Sequence, residues 1–574
     1  MRVAHILVTA MPFAGHVRPM AAVAAALLER GHRVTAYTGA KYTDAFDRLG
    51  CATLTWSAAH DFDDAHLADT FPDTSKVGTR GLIANVRDVF IGTARGQVDD
   101  IRAAHETTPF DAIVGDVLSV SAGLSAELLD LPWATVSLVP LSMPSRDLPP
   151  AIVQTPGRGS LGRARDALLR SLVPVLTAPL DRPYRALRAS LGLGAGRRFD
   201  TALYSPTLVI ATGSPSLEFP RSDLPASVRF VGRLAAPEPP QPTPEWVQPL
   251  IDDVRPIVFV TQGTLDTDPD DLLLPTLEGL ADAPVWVVGT TVGREVGVKP
   301  PENARLVDFI PYSAVVSHAA VGVTNGGWGG VLEMLSLGVP LVVAGGTIDK
   351  PQIAARVAWS GAGVNLRTGR PHPAKVRAAV WQVRRDAAFK ERALQISAEL
   401  AQLGGAARAA AVIEAELLAP REGESPEHGK ERPPPPEELP PEEQDVIVAR
   451  DGAERRHRDE SAKLLRRRSD IAFTVIEFAL IVELLAASEA ERVAPLAADG
   501  YAAFMCRVVA AAHDARAEAP APSRHHARPA RPAPLRPRGL PPLGRHDRRA
   551  RHADRRGAAH ARDRLSGPAR RGLQ

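Results

Sequence analysis

One imidazole and one carboxylate stand where this sequence could move a proton. His16 lies in AMPFAGHVRP, directly after the apolar run VAHILVTA, and Asp116 sits in a second such run, AIVGDVLS. An imidazole with a pKa of about 6.5 accepts a proton at neutral pH, and a neighbouring carboxylate orients the ring and stabilises its protonated form. Each residue also has a plainer use, since a loop histidine or an aspartate can cap the helix that follows. Both stand at the ends of apolar runs, and together they favour the chemical use.

A second group could hold an anion. In TNGGWGGVLE (324–333), Gly326, Gly327, Gly329 and Gly330 flank a tryptophan between the apolar run 319–323 and a helical pattern at 331–337. Glycine lets backbone N–H groups approach an anion, and a helix N-terminus adds partial positive charge. The loop therefore suits a phosphate; the alternative is a tight turn packing strand on helix. It is neither GxxxxGK[ST] nor GxGxxG. Asn325 stands at its mouth, and Glu333 in the next helix could accept ribose hydroxyls. Asp349 and Lys350, in AGGTIDKPQ, follow the next apolar run; the carboxylate suits sugar hydroxyls and the ammonium suits phosphate or hydroxyl. VTQGT (260–264) ends another run, with Gly263 and Thr264 offering N–H and hydroxyl donors. DTDPDD (266–271) contains an Asp-x-Asp that could suggest a metal, but Asp270 and Asp271 read better as first-turn carboxylates of a helix.

The elements that must position these residues alternate. Residues 3–10 read as a strand, 19–32 as a helix with Pro19 in its first turn and Gly31 at its end, and 33–39 as a strand. Such a unit implies a parallel sheet with a right-handed crossover. Strands at 111–119 and 132–138, with a helix between them, continue it. After the proline-rich connector APEPPQPTPEWVQPL (236–250) the alternation restarts with RPIVFVTQG, DDLLLPTLEGLA, APVWVVGTT, RLVDFIP, AVGVT and PLVVAGG. The expected fold is α/β: two Rossmann-like halves, 1–235 and 236–419, facing a cleft with ligands at the carboxyl ends of the strands.

At 574 residues and 45% apolar composition the chain has ample material for several cores, and its net charge of +2 gives no global pull toward nucleic acid or membrane. Cys51 and Cys506 form no metal or redox motif, so a reducing, cytoplasmic setting is expected. The N-terminal apolar run reads as a first buried strand rather than a secretion signal. The apolar stretch 471–487 carries Glu477 and Glu483, so no membrane span is expected. Residues 420–458 form a Pro/Glu-rich linker unable to bury a core, 459–515 an amphipathic helical region, and 519–574 an Arg/Pro/Ala/His tail. That tail reads as a nucleic-acid-binding arm, as plain disorder, or as the kind of text an out-of-frame GC-rich gene yields; the last two are preferred.

Over about residues 3–415 these motifs resemble the UDP-glycosyltransferase superfamily, glycosyltransferase family one, particularly its bacterial macrolide-type enzymes. PFAGHVRP is similar to the family's P-x-x-G-H-x-x-P, Asp116 matches its partner aspartate, and the stretch from VDFIPYS to GAGVNL is similar to its donor-binding signature. The resemblance implies a GT-B fold with the acceptor in the first domain and a nucleotide sugar, UDP- or dTDP-linked, in the second. It implies an inverting hexosyltransferase that needs no metal or resident cofactor. His16 would be the base and Asp116 its partner. Gly263 and Thr264 would approach the diphosphate, the backbone of Phe309 and Ile310 would border the base, and the glycine loop would receive the phosphates. Glu333 would take the ribose and Asp349 the sugar. The expected acceptor is a lipophilic small molecule. Three positions depart from the family pattern: Asn325 replaces a histidine, Gly330 a serine or threonine, and Lys350 a glutamine. A non-catalytic activator of a true transferase and a sugar-nucleotide epimerase are the alternatives sharing this fold.

Overall fold

Residues 5–9, 112–116 and 208–212 of the first half are buried on both faces, which is what the inner strands of a parallel sheet covered by helices require. In the computed structural model, which describes residues 3–75, 79–150, 155–235, 243–263, 268–294, 296–310, 312–346 and 348–419, β1 (His5–Thr9), β2 (Arg33–Thr38), β3 (Ala52–Thr55), β4 (Ala112–Asp116), β5 (Trp133–Ser137), β6 (Leu208–Thr212) and β7 (Val228–Gly232) form one sheet. Their order is β3-β2-β1-β4-β5-β6-β7, all parallel. The second sheet contains β8 (Ile257–Thr261), β9 (Trp286–Thr290), β10 (Ala304–Val307), β11 (Ala319–Thr324), β12 (Leu341–Val343) and β13 (Gly363–Asn365). Its order is β10-β9-β8-β11-β12-β13, again parallel.

Successive strand residues serve opposite layers. Ile6 and Val8 join one core and Leu7 another; in the second sheet Ile257 and Phe259 face one layer, Val258 and Val260 the other. Each sheet is thus the middle of a three-layer sandwich. In each, the direction of winding reverses once, between β1 and β4 and between β8 and β11. Those two crevices are where an open α/β sheet presents a ligand site.

Helix α1 spans Ala14–Glu29 and begins five residues before the position that Pro19 suggested. The carbonyl of Phe13 starts it by accepting from His16 N and Val17 N, both at 2.9 Å. Pro19 therefore lies inside the helix and withholds one ladder bond. Asp270 and Asp271 precede the helix Leu273–Leu280 rather than occupying its first turn. Further helices are α2 (Val120–Leu129), α3 (Trp328–Ser336), α4 (Lys350–Ser360), α5 (Ala387–Gln402) and α6 (Gly405–Glu416).

The last of these corrects the expected partition. Residues 236–419 do not pack as one contiguous half, because Ala409, Ala410, Val412 and Ile413 of α6 enter the core of the first sheet beside α1. Arg30 Nε donates to Glu414 Oε2 at 2.5 Å and Arg229 Nε to Glu416 Oε1 at 2.7 Å, fixing the same docking. Fully burying Val412 and Ile413 contributes about 1.5–3 kcal/mol each. The chain thus ends its described part on the lobe where it began. The connector residues 236–242, and the linker, helical region and tail expected at 420–574, lie outside the described residues. Among the described residues no helix is long and apolar enough to cross a membrane.

Candidate active site

His16 and Asp116 meet at the first crevice. β1 and β4 run side by side, pairing Thr9 with Gly115, so the loop after β1 passes the end of β4. Asp116 Oδ2 accepts from Met11 N at 2.7 Å, and Oδ1 accepts from Leu118 N at 2.7 Å. Oδ1 also lies 3.1 Å from His16 Nδ1. The aspartate side chain is fully buried, whereas the imidazole keeps 14% exposure. With the carboxylate accepting at Nδ1, that nitrogen carries the hydrogen and Nε2 presents its lone pair. Burial by itself would lower the imidazole pKa; the charge and hydrogen bond of Asp116, with a further contribution from Asp349, outweigh it and raise the value above 6.5. Neither residue holds the N-cap position of the helix that follows it, which Phe13 holds for α1 and Ser119 for α2. Beside the ring stand Phe13, at 5.8 Å between centroids, then Phe62 and Phe90, 5.3 and 6.1 Å from Phe13.

The second crevice gathers the glycine residues. Thr324 pairs with Thr261, which brings the loops after β11 and β8 together. Asn325 ties them: its Nδ2 donates to the carbonyl of Gln262, and its Oδ1 accepts from Gly327 N at 3.3 Å. Both ends of the buried amide therefore brace the loop. Gly326 has φ +92°, and a Cβ there would lie 2.9 Å from Val343 Cγ1, so only glycine fits. Gly327 caps α3, and Gly329 and Gly330 form its first turn. A Cβ at Gly329 would meet nothing within 4 Å, and one at Gly330 only the Tyr312 hydroxyl at 3.7 Å. The positive end of α3 is consequently open, with room for an anion.

The remaining predicted residues divide. Gly263, at φ +70°, lies against the Asn325 amide. Thr264 and Asp266 lie outside the described residues. Ile310 is anchored in the core while Phe309 is 73% exposed. Glu333 does not stand by itself, for its Oε1 accepts from Arg233 Nη2 at 2.9 Å, a cation from the end of the first lobe. Asp349 holds the N-cap position of α4, and its field reaches His16 from the opposite lobe. Lys350, the first residue of α4, is buried at 7% exposure. Asp268 and Asp271 both pair with Arg370. Sequence reading missed Tyr312, whose hydroxyl borders Gly330 and whose pKa is raised, first by burial. Its place directly after Phe309–Pro311 was the available cue. It also missed Trp328, which is buried and bonded to the first lobe.

The described chain carries a 38% identity over 417 residues to 4'-demethylrebeccamycin synthase of Lentzea aerocolonigenes, covering 72% of this chain and 99% of that protein. This chain belongs to the UDP-glycosyltransferase family, bacterial macrolide type. The erythromycin biosynthesis protein CIII-like C-terminal domain pattern matches residues 280–412, the part holding the glycine loop and Asp349. UDP-glycosyltransferase 2 of Phaeomoniella chlamydospora is 30% identical over 417 residues, 69% of this chain and 92% of that one. Among solved structures, the kitacinnamycin glycotransferase superposes with a TM-score of 0.57 at 25% identity, over 73% of this chain and 100% of its own. CalG4, the calicheamicin glycosyltransferase, reaches 0.56 at 24% identity over the same shares. The two parallel sheets are thus the GT-B fold, and this UDP-glycosyltransferase is a glycosyl-transferring enzyme of the natural-product type.

Proposed function

We propose that the protein moves a hexose from a nucleotide diphosphate sugar, UDP- or dTDP-linked, to a hydroxyl of a lipophilic small molecule, with inversion and without a metal or resident cofactor. The observation that carries this reading is the pairing of a part-exposed His16 with the buried Asp116 at the crevice of one sheet, within the field of Asp349 from the other. His16 Nε2 takes the acceptor proton as that oxygen forms its bond to the anomeric carbon. The bond from that carbon to the diphosphate oxygen breaks on the opposite face. Asp116 stabilises the imidazolium that results. The open N-terminus of α3, with the N–H groups of Gly329 and Gly330, receives the departing diphosphate. Donors already aimed at a developing charge contribute about 3 kcal/mol each.

Asn325 supports the anion site through its grip on Gln262 and Gly327 rather than as a charged ligand. A neutral amide makes weaker bonds than a cation would. Phe13 beside His16, backed by Phe62 and Phe90, suits an apolar acceptor. Asp349 is assigned to the sugar hydroxyls, Gly263 and Thr264 to the diphosphate, and Phe309 with Ile310 to the base. Glu333 reaches the ribose only by sharing its carboxylate with Arg233. The test is a panel of UDP- and dTDP-hexoses with a mixed aglycone library, read by mass spectrometry. A mass gain of one hexose on an acceptor supports the reading. Sugar isomerisation without any acceptor would replace it with epimerase chemistry.

A further inference from the structure

One short segment of the first lobe grips both helices that carry the donor-side residues. Thr212 ends β6. Its hydroxyl accepts from Trp328 Nε1 at 2.9 Å and donates to the Ser137 carbonyl, at the end of β5, at 2.7 Å. Trp328, Thr212 and Ser137 are all buried. Gly213 follows at φ +88°, and a Cβ there would stand 2.7 Å from Trp328 Cζ2, so the turn is shaped around the indole. Trp328 is the first residue of α3, inside the glycine loop.

A few residues on, Leu217 enters the core of the second lobe. Glu218 Oε2 then accepts from Arg356 Nε at 3.0 Å, while Oε1 accepts from Leu141 N at 3.1 Å. Arg356 Nη2 donates to the Leu141 carbonyl at 3.1 Å, and the guanidinium lies 5.1 Å from the Phe219 ring centroid. Arg356 is 4% exposed and sits on α4, the helix that Asp349 caps. Leu141 belongs to the loop after β5. Apolar contacts alone would hold two lobes together at less desolvation cost than a buried ion pair and a buried hydroxyl relay. Directional bonds of this kind add something apolar contacts lack, a defined register.

We propose that residues 212–219 are the register element of this enzyme: through Thr212 to Trp328 and through Glu218 to Arg356, they set the position of the glycine loop and Asp349 relative to His16. Thr212 and Glu218 are positioning residues, since neither touches the reacting atoms. The proposal rests on the transfer reading above.

The test compares Thr212→Val, Thr212→Ser, Trp328→Phe and the Thr212→Val/Trp328→Phe double variant in the full chain. Thr212→Val strands the buried indole N–H, so kcat is expected to fall roughly tenfold. Affinity for UDP or dTDP by calorimetry stays within about twofold, because the nucleotide site itself is untouched. Thr212→Ser restores kcat, and the double variant is no worse than Thr212→Val. A Thr212→Val kcat equal to wild type below its melting temperature, or losses that multiply in the double variant, would overturn the proposal. A second readout does not require turnover. With nitroxide labels at Arg48→Cys and Glu391→Cys, both exposed, and Cys506→Ser, Thr212→Val should broaden the inter-lobe distance distribution. An unchanged distribution overturns the register role, whereas a wild-type protein that transfers no sugar overturns only the functional reading.

Discussion

Replacing Asp116 by asparagine probes the proton-transfer site with almost no change in volume. The carboxylate accepts from Met11 N on one oxygen and from Leu118 N and His16 Nδ1 on the other. An amide has one acceptor end, so whichever way it turns, its NH₂ must face at least one buried N–H donor. Leaving such a donor unpaired costs about 1–3 kcal/mol, and losing a charge-assisted bond to the imidazolium costs about 1.5–3 kcal/mol. The imidazolium forms as the acceptor attacks, so the second loss falls on the transition state. The first cost lowers stability in every state, whereas the second, about 1.5–3 kcal/mol, corresponds to roughly 10- to 150-fold in kcat/KM. The pH profile should move as well. Asp116 supplies the two largest influences that raise the His16 pKa against burial, and without them burial prevails. The acidic limb of kcat/KM is expected to lie at lower pH in Asp116→Asn than in the wild type. Initial rates across pH 5–9, with the acceptor and donor found in the panel, measure both effects. A variant within tenfold of wild type, or a limb that stays in place, would refute the assignment of Asp116 as partner of the base.

Three further outcomes follow from the packing and charges. Gly326→Ala places a Cβ 2.9 Å from Val343 at φ +92°, and should lower stability by about 2 kcal/mol in denaturant unfolding and weaken nucleotide binding measured by calorimetry. His16 has a folded-state pKa raised above 6.5, so its contribution to stability is fully present below 6.5 and is lost as pH rises through the folded value. The stability difference between wild type and His16→Ala in urea unfolding should therefore shrink from pH 6 to pH 9. Ile413→Ala, in α6, should cost about 2–5 kcal/mol and destabilise the lobe bearing His16, since Ile413 is fully buried against α1 and its sheet; melting followed by circular dichroism reads this.

That His16 and Asp116 share one crevice was legible because a parallel sheet exposes its loops at one edge. Apolar runs of β-branched residues fixed where β1, β4, β8 and β11 end, and hence which residues could share a crevice. The start of α1 was not legible, because Pro19 mimics a first-turn proline while the true start rests on the Phe13 carbonyl. The lobe chosen by α6 was hidden for a different reason. Its apolar stripe, Ala409, Val412 and Ile413, shows that one face is buried but not which surface buries it; the alanine-rich face of α1 decides that. The pairing of Glu333 was not legible because its partner, Arg233, lies far away in sequence. That the Asn325 amide turns back onto Gln262 and Gly327 was not legible, because those bonds are set by how the loops after β8 and β11 meet.

The central claim, that His16 is the base of a glycosyl transfer, is tested most directly by single-turnover kinetics of His16→Ala with nucleotide affinity measured on the same preparation. The account predicts that sugar transfer falls to background while UDP or dTDP binds as in the wild type. Transfer at an undiminished rate by a His16→Ala protein that binds nucleotide normally would contradict it.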